Sequence, residues 1–273
     1  MNIIGFLRRH AQNIDLRIRK LAVARSIETI TLAGVQASYA CNGVKELARV
    51  KQLGGERLMD LLLESHIKPG DIVHDIGGNI GFYSVLFAKK AGPKGCVYAY
   101  EPETINFERL RVNADLNKLP NLYPCPFAIS SETRMLWLRR HSSEPGEGAH
   151  GLVGAEGDLT QPVFCFALDE LIAKFKLPGP TVVKIDIEGH EMDALLGMQS
   201  ALKESVRVIF VEIHYYRYEA AGRYYLTPKE SEEHHARIVK LLSDAGLPLA
   251  EEDVHHESGP DPLHYTHSLF VRK

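Results

Sequence analysis

A glycine-rich turn that starts with an acid is the first segment of this chain that could do chemistry. Asp75 to Gly81 read Asp-Ile-Gly-Gly-Asn-Ile-Gly, between a short apolar run and an amphipathic one. Glycines permit a tight strand-to-helix turn, and the helix that follows presents free N–H groups to a ligand. A dinucleotide fingerprint would need glycines where Asn79 and Phe82 stand. Asp75 would repel a pyrophosphate, whereas it can accept hydrogen bonds from an ammonium group.

A second acid follows at the interval expected for a ribose-binding residue. The run from Cys96 to Tyr100 predicts a β-strand, and Glu101 ends it 20 residues after Gly81. An acid at this point of a nucleotide-binding fold can accept hydrogen bonds from both ribose hydroxyls. Either feature alone is compatible with a structural turn or a solvated acid, but the pair indicates a site for S-adenosylmethionine. Asn79 is expected to cap the helix after the turn.

Two later strands also end in side chains that can do acid–base chemistry. The apolar run 181–185 ends in Asp186, and the apolar run 206–211 ends in Glu212 and His214. The carboxyl ends of parallel strands meet at one edge of a sheet, so these groups should lie beside the glycine turn. A site that transferred a methyl group from S-adenosylmethionine to an alcohol would need a base near the methyl group. Asp186 is our first choice for this base, and His214 is an alternative.

His190 is a second alternative for the base, and a metal site also has to be weighed. A histidine at the start of a helix is more often a cap or rim residue than a base, and the chain has 13 histidines. Asp186, Glu188, Glu212 and His214 offer ligands that suit Mg²⁺. Alternation of side chains along a strand would direct Asp186 and Glu188 to the same side, but a turn begins after Asp186 and interrupts it. We therefore expect no catalytic metal.

Strand and helix patterns alternate along the chain, which favours a mostly parallel sheet. Before the glycine turn, the patterns predict a short strand or hairpin over residues 30–39 and a helix over 55–65. A further strand is predicted around 122–129. Residues 139–162 interrupt the alternation with five glycines and two prolines. Such a segment predicts a loop, either a lid over a site or a mobile surface insertion.

The first 25 residues differ in composition from the rest of the chain. They hold six Lys or Arg against one acid, and their apolar residues recur at intervals of three and four: Ile4, Leu7, Ala11, Ile14, Ile18 and Leu21. This pattern predicts a basic amphipathic helix over residues 1–28, ahead of a catalytic domain over residues 29–273. The helix would pack on its own domain, join two subunits of a homodimer, or rest on an anionic membrane surface.

Composition limits the classes of protein to which this chain can belong. Its 273 residues, 45% of them hydrophobic, suffice for one α/β domain with a complete core. A net charge of −3 argues against a nucleic-acid partner. The four cysteines form no C-x-x-C pair, and no run approaches the ~20 apolar residues of a membrane span. We therefore expect a reduced, cytoplasmic protein, either free or peripheral to the inner face of the membrane.

Taken together, these motifs resemble those of the FkbM-type S-adenosylmethionine-dependent methyltransferases. The resemblance covers about residues 30–272 and rests on five segments: Asp75 to Gly81, Tyr100 to Pro102, Asn113 with Asn117, Lys184 to Glu191, and Val211 to His214. It implies an α/β, Rossmann-like class I methyltransferase fold, with a seven-stranded, mostly parallel sheet and an antiparallel last strand. It also implies O-methylation of a hydroxyl on a sugar, a glycolipid or a secondary metabolite, with S-adenosylhomocysteine as product.

The resemblance also implies which residues contact S-adenosylmethionine: Asp75, Gly77, Gly78, Asn79, Gly81, Glu101, Asn106, Ala128, Ile129 and Asp186. Gly78 stands where the family usually has alanine, a change that the turn should tolerate. Two alternatives stay open for the function, namely a protein or other nitrogen or oxygen acceptor and a non-catalytic adaptor docked through its N-terminal helix. A nicotinamide dehydrogenase is disfavoured by the missing fingerprint glycines.

Overall fold

The computed structural model describes residues 26–52, 56–140, 144–157, 159–219, 222–256 and 264–272. Its strands are β1 (Ser26–Leu32), β2 (Val35–Cys41), β3 (Ile72–Ile76), β4 (Cys96–Tyr100), β5 (Leu122–Cys125), β6 (Ala128–Ile129), β7 (Arg134–Arg139), β8 (Gly151–Val153), β9 (Thr160–Phe166), β10 (Val182–Ile185), β11 (Val208–His214), β12 (Tyr216–Glu219), β13 (Gly222–Tyr225), β14 (Leu249–His256) and β15 (His264–Val271). Its helices are α1 (Val44–Gln52), α2 (Arg57–Leu61), α3 (Phe82–Ala91), α4 (Thr104–Leu116), α5 (Leu168–Phe175), α6 (Glu191–Leu196), α7 (Gln199–Glu204) and α8 (Pro228–Asp244), with a π-helical turn (Leu62–His66) directly after α2.

A seven-stranded sheet runs through the centre of the domain in the order β14-β15-β11-β10-β3-β4-β5. The strands from β11 to β5 are parallel neighbours, and β15 is antiparallel to both β11 and β14. The last strand of the described chain is therefore the reversed strand of this sheet. This topology confirms the predicted class I methyltransferase fold. It also brings the residues that follow β3, β4, β10 and β11 to one edge.

Helices and a hairpin cover the two faces of the central sheet. Val182 and Val208 belong to the core on the side of α3, α4 and the β1–β2 hairpin. Val183 and Ile209 belong to the core on the side of α5 to α8. Because successive side chains of a strand point to opposite faces, strands buried on both faces read as continuous apolar runs. None of the described helices is long and apolar enough to cross a membrane.

The described chain begins with a β-hairpin. β1 and β2 pair antiparallel from Ser26 and Cys41 to Leu32 and Val35, which is the hairpin predicted near residues 30–39. β1 starts at Ser26, so the last three residues of the predicted N-terminal helix, 26–28, are a strand. The rest of that prediction lies outside the described residues. The helix predicted over 55–65 corresponds to α2 and the π-helical turn.

Two predictions for the middle of the chain were wrong in part. The strand predicted around 122–129 is two strands, since β5 joins the central sheet and β6 joins a four-stranded sheet of order β6-β9-β7-β8. The loop predicted over 139–162 contains β8 and the first residues of β9. Both strands pair with β7, whose ladder supplies their backbone hydrogen bonds. Glycine and proline are depleted in strands, so composition hides such short ones. We call residues 144–150, which precede β8, the strap.

Candidate active site

Two cavities meet at the carboxyl edge of the parallel strands. The first, of about 520 Å³, has mostly apolar walls, which include Ile76, Pro102, Ala128, Ile129, Leu138 and Leu152. The second, of about 980 Å³, has charged walls, which include Arg49, Glu56, Lys184, Asp186, Glu212 and His214. We call them the apolar cavity and the polar cavity. Both are lined by Gly77, Asn79, Glu101, Gly148 and Glu188, so the two cavities are parts of one cleft.

The glycine turn between β3 and α3 forms the floor of the cleft. Gly77 has a φ of +86°, and a Cβ on it would lie 1.9 Å from the backbone oxygen of Asp186. Only glycine allows this close approach of the turn to the end of β10. Gly81, with a φ of +82°, is the N-cap of α3. The predicted capping by Asn79 was wrong, because its Oδ1 accepts a hydrogen bond from the neighbouring Ile80 N–H instead.

Glu101 lies at the junction of the two cavities, directly after β4. Its Oε2 accepts a hydrogen bond from Asn79 N at 2.7 Å, and its Oε1 accepts one from Glu103 N at 2.8 Å. The side chain is buried, and this burial raises the pKa of Glu101 to about 7. Each carboxylate oxygen can accept a second hydrogen bond. Glu101 is therefore placed to receive the hydroxyl groups of a ligand.

The strap lies over the cleft and is held by two of the predicted site residues. The Nδ2 groups of Asn79 and Asn106 both donate to the backbone oxygen of Glu147, at 2.9 Å and 2.8 Å. Asn106 Oδ1 also accepts a hydrogen bond from Gly146 N at 2.9 Å. These two amides therefore bind the protein's own backbone. Their predicted contact with a ligand stays a prediction, as does a lid role for this segment.

Lys184 is buried between two carboxylates on the polar side of the cleft. Its Nζ lies 3.2 Å from Asp75 Oδ1 and 3.5 Å from Asp186 Oδ2, and it donates to Gly77 O at 2.7 Å. Burial would lower the pKa of Lys184, but the two carboxylates outweigh it and raise the pKa. Asp75 is only 1% exposed and also accepts a hydrogen bond from Ser84 Oγ. The ammonium group that Asp75 contacts here is thus that of Lys184.

Asp186 is the acid of this group that faces the polar cavity, and its side chain is 31% exposed. Burial raises the pKa of Asp186, and the neighbouring Glu212 carboxylate raises it further against the effect of Lys184. An acid whose pKa is raised towards neutrality is a better proton acceptor in catalysis than one with an ordinary value. The geometry is consistent with the predicted base.

His214, the alternative base, is placed in a way that does not suit this role. Its Nδ1 lies 2.8 Å from Glu191 Oε1, and its Nε2 lies 3.1 Å from Glu212 Oε1. Burial would lower the pKa of His214, but the two carboxylates raise the pKa well above its ordinary value. The imidazolium has no free nitrogen with which to take a proton. His267 donates to the other oxygen of Glu212, so a charge-paired network forms this wall.

His190, the remaining alternative, lines neither cavity. Its Nε2 lies 3.0 Å from Ser130 Oγ, and its Nδ1 lies 3.6 Å from Asp193 Oδ2. It is the N-cap residue of α6, as expected for a histidine at a helix start. This position favours a structural role for His190, and its role as a base stays a prediction.

Asp186, Glu212 and His214 each bring a potential ligand atom within 4.8 Å of the others. A metal there would require His214 to lose a proton, because a protonated imidazole has no lone pair to offer. The carboxylates of Glu191 and Glu212 favour the protonated form. The donor set is therefore poorly matched to a cation, and the absence of a catalytic metal stays a prediction.

Sequence reasoning missed several residues of the polar cavity, and Lys184, Arg49 and Tyr216 illustrate why. The sequence did contain a signal for Lys184. A lysine inside an apolar strand is almost never fully buried unless it is paired, so its position predicts a carboxylate partner. Arg49 of α1 carried none, because α1 lies far along the chain from the motifs and only the folded chain brings it to the cavity. Tyr216, whose hydroxyl donates to Glu188, was one of several tyrosines in its segment and could not be singled out.

Comparisons with known proteins identify a matching family and several similar proteins. The family described as the methyltransferase FkbM domain matches residues 75–247. Hexuronic acid methyltransferase AglP of Haloferax volcanii is 33% identical over 233 residues, which are 84% of this chain and 84% of that protein. The 31-O-demethyl-FK506 methyltransferase FkbM of Streptomyces tacrolimicus is 25% identical over 175 residues, covering 54% of this chain and 67% of that one. A crystal structure of methyltransferase FkbM from Methylobacillus flagellatus aligns with a TM-score of 0.47 and 18% identity, covering 77% of this chain and 47% of that one.

Proposed function

Because the chain belongs to the FkbM family of methyltransferases, we propose that it transfers a methyl group from S-adenosylmethionine to a sugar hydroxyl, in particular on a glycan that contains hexuronic acid. One observation supports this use of the site above others. An apolar and a polar cavity meet at Glu101, on the carboxyl edge of the parallel strands. Ligands of open α/β sheets bind at this edge.

The residues of the cleft fit S-adenosylmethionine part by part. The walls formed by Ala128 and Ile129 suit an adenine ring, since ligand pockets are mainly apolar with a few placed polar groups. Glu101 suits the ribose hydroxyls. The acids of the polar cavity suit the positive charges of the methionine end. The predicted donor site is thus supported by chemistry as well as by motif.

We propose Asp186 as the base that takes the proton of the acceptor hydroxyl. S-adenosylmethionine, when bound, supplies an electrophilic methyl group on a cationic sulfonium. Lys184 restrains the Asp186 carboxylate at the mouth of the polar cavity. Asp186 suits the role better than Glu212, because burial would raise the pKa of Glu212 but hydrogen bonds from His214 and His267 lower it well below its usual value. A cleft that holds the reacting groups in line can lower the barrier by on the order of 7–11 kcal/mol.

The acceptor is proposed from the relative and from the polar cavity. AglP is named for its action on hexuronic acid. Tyr216 and Tyr265 line the polar cavity and offer aromatic surfaces beside Asp186. An aromatic ring can cover the apolar face of a sugar. Both features support a sugar over a large apolar metabolite.

Calorimetry tests the donor part of this proposal. We expect the folded protein to bind S-adenosylmethionine and S-adenosylhomocysteine, with no binding of NADH as the comparison ligand. Absence of binding to both adenosyl ligands would refute the proposed function. Incubation with donor labelled in its methyl group and with glycans that contain hexuronic acid then tests the acceptor. Label that stays on protein or on nucleic acid would contradict the sugar assignment.

We also propose that residues 1–25 are a docking element for a second subunit or an anionic membrane. Their six Lys or Arg and single acid support this. Deletion of residues 1–25 is expected to change either the oligomeric state, measured by light scattering, or the binding to anionic liposomes. No change in either would refute the proposal.

A further inference from the structure

Arg49 is the basic residue of the polar cavity that forms no ion pair with a carboxylate of the described residues. Three basic residues line this cavity. Lys184 lies between Asp75 and Asp186, and His214 lies between two glutamates. Arg49 forms no ion pair within the described chain, and its Nε donates to the backbone oxygen of Gly146 at 3.0 Å. Its charge lowers the pKa of Asp186 from a distance, but no carboxylate of the described residues is paired with it, so the guanidinium can pair with a ligand.

The position of Arg49 puts its guanidinium at the junction of the cleft. A Cβ on Gly148, which lines both cavities, would lie 2.6 Å from Arg49 Nη2. The bond from Nε to the strap fixes one side of the guanidinium, and the terminal nitrogens form no hydrogen bond with the described residues. Arginine binds carboxylates with two parallel hydrogen bonds, which gives orientation as well as affinity.

The remaining walls of the polar cavity are rich in acids. Glu56, Asp186, Glu188 and Glu212 all line it. An anionic acceptor would be repelled there unless a positive group received its charge. Arg49 is the one lining residue of the described chain that can do this without giving up an ion pair.

We infer that Arg49 binds the carboxylate of an acidic sugar and so selects hexuronic acids over neutral hexoses. This inference rests on the proposed function, because it assumes a sugar acceptor in the polar cavity. The amino-acid carboxylate of the donor has another site available. The first turn of α3, with Phe82 and Tyr83 on the cavity wall, carries N–H groups that lack intrahelical acceptors and attract anions.

Two sugar probes that differ in one group test the inference. Binding of 4-nitrophenyl β-D-glucuronide and of 4-nitrophenyl β-D-glucoside to the protein saturated with S-adenosylhomocysteine is measured by calorimetry. We expect the wild type to prefer the glucuronide, and Arg49→Gln to weaken glucuronide binding roughly 10- to 100-fold while leaving the glucoside unchanged. Arg49→Lys should recover part of the loss, because it keeps the charge but not the paired hydrogen bonds.

Lys51→Gln provides the matched control on the same helix. The Lys51 side chain is 58% exposed and lies 3.9 Å from Glu28, outside both cavities. This variant removes one positive charge from α1, and it is expected to bind both probes as the wild type does. An equal loss in Lys51→Gln would show that net charge, and not Arg49, sets the preference, and would overturn the inference.

A second ligand pair separates the acceptor from the donor. S-adenosylhomocysteine carries an amino-acid carboxylate, whereas 5′-methylthioadenosine does not. If Arg49→Gln weakened S-adenosylhomocysteine but not methylthioadenosine, Arg49 would bind the donor, and the acceptor assignment would be overturned. Wild type that binds both sugar probes equally, or neither, would also overturn it. The proposed function fails separately, through loss of S-adenosylhomocysteine binding by the wild type.

Discussion

The apolar and polar cavities of the cleft are built in different ways. In the apolar cavity, backbone geometry does most of the positioning, since the N–H groups of Gly77 and Gly78 both donate to Tyr100 O at 3.0 Å. In the polar cavity, charged side chains from distant parts of the chain hold one another, as Lys184 holds Asp75 and Asp186. The first arrangement fixes where a ligand lies. The second fixes the protonation of the groups around it.

This difference predicts different responses to substitution. Removal of one member of a buried charge pair leaves its partner uncompensated, and this typically costs more than the pair itself contributes. Truncation of an apolar wall or of one hydrogen-bond acceptor has a local effect. Substitutions in the polar cavity should therefore change turnover or stability most, and substitutions at the apolar side should mainly change donor affinity.

Asp186→Asn should have the largest effect. The asparagine keeps an oxygen that can accept from Lys184, but it cannot take a proton. We expect kcat to fall by about 10²- to 10⁴-fold, the usual contribution of a general base, while S-adenosylhomocysteine affinity stays within about threefold. Steady-state kinetics and calorimetry measure the two quantities.

Asp193→Asn is the control for this substitution, because the Asp193 side chain is 40% exposed and lines neither cavity. It should leave kcat unchanged. If Asp186→Asn kept most of its turnover, the base would have to be another group, or the acceptor oxygen would already be deprotonated.

His214→Gln should mainly reduce stability. Glutamine cannot carry the positive charge that lies between Glu191 and Glu212, so the buried Glu191 carboxylate loses its charged partner and Glu212 keeps only His267. We expect the free energy of unfolding at pH 6 to fall by about 3–5 kcal/mol, measured with denaturant. The folded pKa of His214 lies above its ordinary 6.5, so its contribution is complete below pH 6.5 and is lost as the pH rises through the raised pKa. The difference between variant and wild type should shrink at high pH.

His190→Gln is the comparison for a histidine outside the cleft. It should cost less, because it removes one hydrogen bond to the buried Ser130 hydroxyl and one contact with Asp193, whose side chain is 40% exposed, but no buried ion pair. An equal loss of stability in the two variants would contradict the special place of His214 between two carboxylates. A loss of kcat in His190→Gln, with stability intact, would restore it as a catalytic residue.

The same difference between the cavities explains what could be predicted from the sequence. The order of apolar runs and the glycine turn predicted the sheet, its edge and the place of Glu101, because these depend on local patterns and on the rules of parallel sheets. The pairing of His214 with Glu191 and the arrival of Arg49 depend on how distant segments pack, and no spacing in the sequence encodes them. The strap was predicted as a loop, but its bonds to Asn79 and Asn106 could not be.

Glu101→Ala should reduce donor affinity more than turnover at saturation. The residue offers a carboxylate to the ribose, and charge-assisted hydrogen bonds of this kind contribute about 1.5–3 kcal/mol. We expect the Kd of S-adenosylhomocysteine to rise by about 10- to 150-fold, measured by calorimetry. Glu108→Gln on α4, whose side chain is 57% exposed, is the control and should bind as the wild type does. Unchanged affinity in Glu101→Ala would place the ribose elsewhere.

The smallest effect expected is a pH dependence of donor binding that comes from Glu101. Burial raises the pKa of this group from its usual 4.5 to about 7 in the free protein, so about half of the carboxyl groups are protonated at neutral pH. Ribose hydroxyls donate best to the ionised form, and bound ligand should therefore lower the pKa. The Kd of S-adenosylhomocysteine should rise severalfold as the pH falls from 8 to 6, with release of protons on binding near pH 7. Calorimetry in buffers of different ionisation enthalpy measures that release.

Glu188 is the group that could imitate this pH dependence, because burial raises its pKa to about 7 as well and it lines both cavities. Two variants separate them. Glu101→Gln should bind with little dependence on pH, whereas Glu188→Gln should keep the dependence of the wild type. The opposite result would identify the titrating group as Glu188, whose carboxylate accepts a hydrogen bond from the Tyr216 hydroxyl. In that case protonation of Glu188, and not of Glu101, would control donor binding.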